Sequence, residues 1–296
     1  MATLLDDLKY SFKTGGVLTQ FIYANVGVFL ALTIIRLFGF FFKANTLAAV
    51  MPWISANSGW EVMLYKPWTA ITYMFVHEGF WHILFNMVLL YFSGRIFADL
   101  LGGKRFTAVY FMGGIAGFLV YFISYNVFPV FNGASIPIIG ASASIMAILV
   151  AIATYNPNLE LRLILLGNVK LKYIAIFFVA TDILFLDQGG NVGGKLAHIG
   201  GALYGFLYST SLKKGNDWSG LFYTVTDFFR DLVAPKPKMK VASSKPGYKA
   251  RHYHTESKQE KENQIRIDEI LDKISRSGYD SLTKEEKQFL FNNAKK

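Results

Sequence analysis

A few polar side chains interrupt long apolar runs in this chain: His82, Asn86, Ser142, Ser144 and His198. A polar or ionisable group at bilayer depth is costly unless it meets a partner or a cavity. A hydroxyl, two imidazoles and an amide are together the tools of acyl transfer, supplying a nucleophile, a base and donors for a developing oxyanion. Ser142 has the small neighbours Gly140, Ala141 and Ala143, which let a substrate backbone approach and leave amide N–H groups open. A lone membrane serine is more often a packing residue, and Ser144, two positions on and facing elsewhere, is read that way. His198 stands in Gly194-x-x-x-His198-x-x-Gly201-x-x-x-Gly205, a smooth stripe along which another helix can pack closely. If that helix carries Ser142, the imidazole can take the serine proton. Taken singly, a histidine bonded to a backbone carbonyl is an equally good reading. His82 and Asn86, four apart, share one helical face, which serves interhelical hydrogen bonding as well as it serves a reaction cavity.

The elements that must position these groups follow from composition. Of 296 residues, 53% are hydrophobic and only 17% charged, too apolar for an ordinary soluble domain. Residues 213–296 hold 18 of the 30 Lys/Arg and 12 of the 20 Asp/Glu, so a membrane body is followed by a wet tail. Apolar runs near 19–41, 77–97, 106–128, 138–155, 171–186 and 194–212 predict six spanning helices. The net charge of +10 is spread over segment ends and tail rather than forming a basic-aromatic patch, which argues against nucleic acid. Lys and Arg in short loops put both termini on the cytoplasmic side. Trp53, Trp60, Tyr65 and Trp68 place the first outer loop in the headgroup zone. The absence of cysteine excludes disulfides and thiolate chemistry. The boundaries read as an interfacial N-terminal segment 1–18, with a short helix from Leu4 to Phe12, a six-helix body 19–212, a juxtamembrane segment and basic linker 213–262, and a short helical module 263–296. In that module, Ile265, Ile267, Ile270, Leu271 and Ile274 mark a helix stopping near Gly278, and a second helix starts around Ser281–Glu285. The segment Asn156–Lys172 alternates apolar and charged residues, unlike a spanning helix. His77 and His82 flank a zinc-like pattern but are five apart, about 140° out of phase on a helix, so no metal or cofactor is expected.

His82-x-x-x-Asn86, Gly140-Ala141-Ser142, and Ala197-His198-x-Gly200-Gly201 followed by Gly205, with Pro67-Trp68 ahead of Thr72, Phe75 and His77, resemble the rhomboid intramembrane proteases in order and spacing over residues 19–212. The resemblance implies an all-α membrane protein, a six-transmembrane-helix bundle with a small cytoplasmic helical C-terminal tail, and a serine–histidine dyad without an aspartate. It implies Ser142 as nucleophile, His198 as general base, and His82, Asn86 and the Ser142 amide as oxyanion hole, with Gly140, Ala141, Met146, Gly201 and Gly205 in support. The substrates would be transmembrane segments of other membrane proteins, taken from the lipid bilayer; the tail lies outside the resemblance and, too small to hold a large core, is expected to dock on an unidentified partner or on the membrane body. The departures are Ala143 in place of a glycine, Met146 in place of an aromatic residue, Thr69 in place of an arginine, and Ala98 beside Asp99 in place of a glutamate. The alternative is a catalytically silent rhomboid-like membrane binding protein, which would usually have lost Ser142 or His198. The location expected is a bacterial inner (plasma) membrane. The glycine-rich segment Asp187–Gly194 is expected to cap the site.

Overall fold

The computed structural model describes residues 6, 10–12, 14–163, 167–188, 190–233 and 258–293. It divides into two compact units, Met1–Pro235 and Lys236–Lys296. The first unit holds seven long helices among the described residues: α1 Val17–Phe41, α2 Phe80–Leu101, α3 Gly103–Val127, α4 Ser142–Tyr155, α5 Leu171–Leu184, α6 Val192–Lys213 and α7 Ser219–Val233. Three of these, α1 to α3, are long and apolar enough to cross a membrane, and α4 is a shorter apolar helix. The fourth and fifth expected spans are 14-residue helices, about 21 Å each against a hydrocarbon core of about 30 Å. A single residue, Gly102, joins α2 to α3 with φ +87°, a conformation open to glycine at no steric cost.

The centre of the unit is α4, packed against α2, α3, α5 and α6. Its residues Ala143 to Leu149 are all buried, so it is apolar on every side, as a helix enclosed by others must be. Small residues bring the neighbours in. A Cβ at Gly113 would lie 2.2 Å from Ala147 Cβ, and one at Gly117 would lie 2.6 Å from Ala143 Cβ, so the α3 glycines seat the α4 alanines. From the other side, Gly201 and Gly205 of α6 lie on the backbone of Ala143 and Ala147.

The described residues are mostly helical, as expected, and add two short antiparallel ribbons. β1 (Ala56–Asn57) pairs with β2 (Pro137–Ile138), Ala56 opposite Ile138 and Asn57 opposite Pro137. This ribbon fastens the outer loop to the segment that leads into α4. Ser58 reinforces it, its hydroxyl donating to the Ala134 carbonyl at 2.5 Å and accepting from the Ile136 amide at 2.8 Å. β3 (Glu160–Leu163) pairs with β4 (Gly167–Lys170), and these strands fall in the alternating segment Asn156–Lys172, where successive side chains point to opposite faces. In the outer loop, Trp68 donates to the Trp53 carbonyl at 3.0 Å and the two indoles stack. Thr69 is fully buried and satisfies its hydroxyl on the Lys66 carbonyl at 2.7 Å, so this departure from the family pattern has a local hydrogen-bond partner.

The second unit contains α8 (Lys258–Ser277) and α9 (Lys284–Asn293). Gly278, with φ +77°, ends α8 where expected. Thr283 and Glu286 form a reciprocal cap at the start of α9, the Thr283 amide donating to Glu286 and the Glu286 amide to the Thr283 hydroxyl. Such a pair satisfies two donors a helix start would otherwise leave free. Ile270 and Leu282 are buried in this unit, and Lys273 meets Glu286 at 2.9 Å. The expected interfacial helix over Leu4–Phe12 and the basic linker fall largely outside the described residues.

Candidate active site

Ser142 is the first residue of α4 because the preceding backbone cannot be helical. Gly140 has φ +126°, a region that L side chains rarely adopt, and its amide donates to the Tyr73 carbonyl at 2.9 Å. The strand β2, the glycine turn and the helix start therefore follow within six residues. The first-turn amides of α4 are left without intrahelical partners, at the positive end of the helix dipole. A Cβ placed on Gly140 would stand 2.9 Å from His82 Nε2 and 3.5 Å from Ser142 Oγ. The space that the missing side chain leaves is thus bordered by a hydroxyl and an imidazole.

The two residues separated by 56 positions meet as expected: His198 Nε2 lies 2.7 Å from Ser142 Oγ. The glycine stripe brings them together only in part. Gly201 and Gly205 contact α4, but Gly194 packs on the side chain of Asn191, whose Oδ1 caps α6 by accepting from the Gly194 amide at 3.1 Å. Gly200 faces α3, where its Cβ would meet the Ala116 carbonyl oxygen at 2.7 Å. Ala141 is fully buried, and Met146 is buried in the core. Ser144 is also buried, its Oγ against the backbone of Gly114, in keeping with a packing role. Asn86 is 7% exposed and donates from Nδ2 to the His82 carbonyl at 2.8 Å, so one N–H is engaged on its own helix and the second is free to be aimed elsewhere. His77, just before α2, sets its ring edge-on to His82 with centroids 5.0 Å apart. Burial, and then the neighbouring His82, lower the His77 pKa to about 4, so this imidazole is neutral near pH 7.

A residue that the sequence reading passed over completes a row of three. Asp182, in the last turn of α5, places Oδ2 3.0 Å from His198 Nδ1. Where the resemblance implies a pair without an aspartate, the structure sets a carboxylate against the histidine. The signal lay in the sequence: Asp182 is an acid inside the apolar run 171–186, and an anion near a helix C-terminus opposes the dipole unless it has a partner. The segment after α5 is tied down, with Lys195 Nζ donating to the carbonyls of Phe185 and Gln188.

Fold and site together define a helical membrane protein in which a serine hydroxyl is held on an imidazole between two glycine-packed helices. The sequence profile of the rhomboid domain matches residues 64–215, just over half of the chain, and the chain belongs to the rhomboid family. Members of that family are generally intramembrane serine proteases. Residues 253–296 match a family of unknown function (DUF6576). Among curated proteins, the chain is 37% identical over 141 residues to the presenilin-associated rhomboid-like protein A, mitochondrial, of Danio rerio, covering 45% of this chain and 34% of the relative. It is 30% identical over 158 residues to RHOMBOID-like protein 12, mitochondrial, of Arabidopsis thaliana, covering 50% and 47%. It is 31% identical over 140 residues to the inactive RHOMBOID-like protein 8 of the same plant, covering 44% and 36%. The chain spans only a third to a half of the length of these relatives. The expected bacterial plasma membrane is corrected by this comparison, because the first two relatives are named as mitochondrial proteins.

Proposed function

We propose that the chain is an intramembrane serine endopeptidase that cleaves transmembrane segments of other membrane proteins within a six-span bundle. The observation that carries this reading is the 2.7 Å contact between Ser142 Oγ and His198 Nε2 beside the space opened by Gly140. A substrate helix must unwind locally before it presents a carbonyl there, because its peptide bonds are otherwise shielded by its own hydrogen bonds. Ser142 Oγ attacks the carbonyl carbon as its proton passes to His198 Nε2, and the carbonyl electron pair moves onto oxygen. The oxyanion meets donors from His82, the second N–H of Asn86 and the Ser142 amide, each worth about 3–4 kcal/mol in comparable sites. Collapse breaks the C–N bond as Nε2 gives its proton to the leaving amine, and water then hydrolyses the acyl-enzyme by the same route.

A catalytically silent membrane-binding protein is the competing reading, and the similarity to an inactive relative gives it an observation. The joined serine and histidine favour catalysis. The test is labelling of the full chain in lipid vesicles by a serine-directed fluorophosphonate. Labelling of the wild type that disappears in Ser142→Ala supports the protease, and labelling that survives in Ser142→Ala, or no labelling of either, overturns it.

A further inference from the structure

We infer that Asp182 is a positioning residue of this site, fixing the tautomer of His198 and balancing the charge that His198 acquires during turnover. The inference rests on the proteolytic reading of Ser142 and His198 and adds a third member to it. Both ring nitrogens of His198 are engaged, Nδ1 on Asp182 Oδ2 at 3.0 Å and Nε2 on Ser142 Oγ at 2.7 Å. The three groups come from three helices, α5, α6 and α4. The side chains of His198 and Asp182 are only 21% and 17% exposed, so water does little to replace either contact.

An ionised carboxylate only accepts hydrogen bonds, so the nitrogen facing it must carry the proton. That assignment puts N–H at Nδ1 and the lone pair at Nε2, on the side of the serine. Without the carboxylate, a neutral imidazole is free to hold its proton at Nε2, where it can accept nothing from Ser142. When the Ser142 proton arrives, the ring becomes a cation in an enclosed site, and the adjacent carboxylate compensates it. The proton stays on the ring until it leaves with the amine. Lys195 is occupied by the carbonyls of Phe185 and Gln188, which leaves the carboxylate to His198 alone among the described contacts of Asp182.

The test compares wild type, Asp182→Asn and Asp182→Glu as full chains in lipid vesicles, reading fluorophosphonate labelling rate and cleavage of a membrane-spanning reporter. The same aspartate-to-asparagine change in soluble serine proteases lowers kcat by about 10⁴-fold. Here Asp182→Asn is expected to lower kcat and labelling by about 10²-fold or more with KM within about twofold, and Asp182→Glu to recover part of the loss. The ¹⁵N imidazole signals of His198 provide a readout that a merely structural role leaves unmoved. Wild type should carry its proton at Nδ1, and Asp182→Asn should lose that preference. Wild-type labelling by Asp182→Asn, or a wild-type His198 protonated at Nε2, overturns the inference. If Asp182→Asn does not fold, the wild-type tautomer alone decides. An unlabelled wild type refutes the protease reading instead, and the tautomer then still judges the contact.

Discussion

Replacing Gly201 by alanine puts one methyl group into the contact that holds Ser142 against His198. The new Cβ would stand 2.1 Å from the Ala143 carbonyl oxygen and 2.9 Å from its carbon. Both atoms are backbone, so no side chain can swing aside. Ordinary van der Waals distance requires α4 and α6 to part locally by about 1 Å, an overpacking that typically costs about 1–3 kcal/mol. Ala143 follows the serine and Gly201 lies one turn from His198, so the separation falls on the 2.7 Å Ser142–His198 contact and stretches it to about 3.7 Å, outside hydrogen-bonding range. A misplacement of about 1 Å is expected to slow catalysis on the order of 10²-fold. Gly205→Ala is the control. Its Cβ would meet the Ala147 carbonyl oxygen at 2.2 Å, a similar strain placed one turn further from the serine. The assay is the rate of fluorophosphonate labelling in lipid vesicles, with thermal unfolding of each variant alongside. The two variants should lose similar stability, and Gly201→Ala should lose far more activity. A folded Gly201→Ala that labels at the wild-type rate would refute the steric account of how the two helices set the site.

His82→Ala and Asn86→Ala should each lower kcat by about 10²–10³-fold while KM moves little, measured by reporter cleavage; equal losses in kcat and binding would place them in packing instead. His77 has a pKa lowered from 6.5 to about 4, so between those values the unfolded chain takes up a proton that the folded chain refuses. Its contribution is intact above pH 6.5 and falls by about 3 kcal/mol as the pH drops towards 4, and denaturant titrations across that window should show the slope flatten in His77→Gln. Ser58→Ala leaves the Ile136 amide without its hydroxyl acceptor and should destabilise the first unit by about 1 kcal/mol, read by thermal unfolding. Thr283→Ala removes the cap at the start of α9 and should speed amide exchange over Lys284–Asn293, corresponding to about 1 kcal/mol.

The helix order was legible because apolar runs of fixed length and their glycine punctuation are local properties. Ser142, His198, His82 and Gly140 were legible as a group because polar residues are expensive in an apolar run, which makes each of them visible. Asp182 is equally expensive and was visible on the same ground. Its target was hidden, because only the packing of α5 on α6 shows that a side chain in the last turn of one helix reaches the ring on the next. The β1–β2 ribbon was hidden for a related reason. Two strands of two residues each carry no periodic signal, and residues 56 and 138 are joined by a meeting of loops that depends on how α2 and α3 fold back. The start of α4 falls later than the apolar run beginning near 138 suggests, because an apolar composition does not distinguish a strand and a turn from the first turns of a helix. Within the stripe, Gly194 has the right spacing but is used at the cap by Asn191, a local contact that competes with interhelical packing.

The dependence of the serine on α6 has a consequence for biogenesis. Ser142 is synthesised well before His198, and until α6 is made and inserted the hydroxyl has no base beside it. The glycines that let α6 seat on Ala143 and Ala147 also bring the imidazole into place, so helix assembly and completion of the serine–histidine contact are one event. On the proteolytic reading, a nascent chain halted after α5 carries Ser142 and Asp182 without the base, and neighbouring proteins entering the same bilayer are spared until α6 has docked.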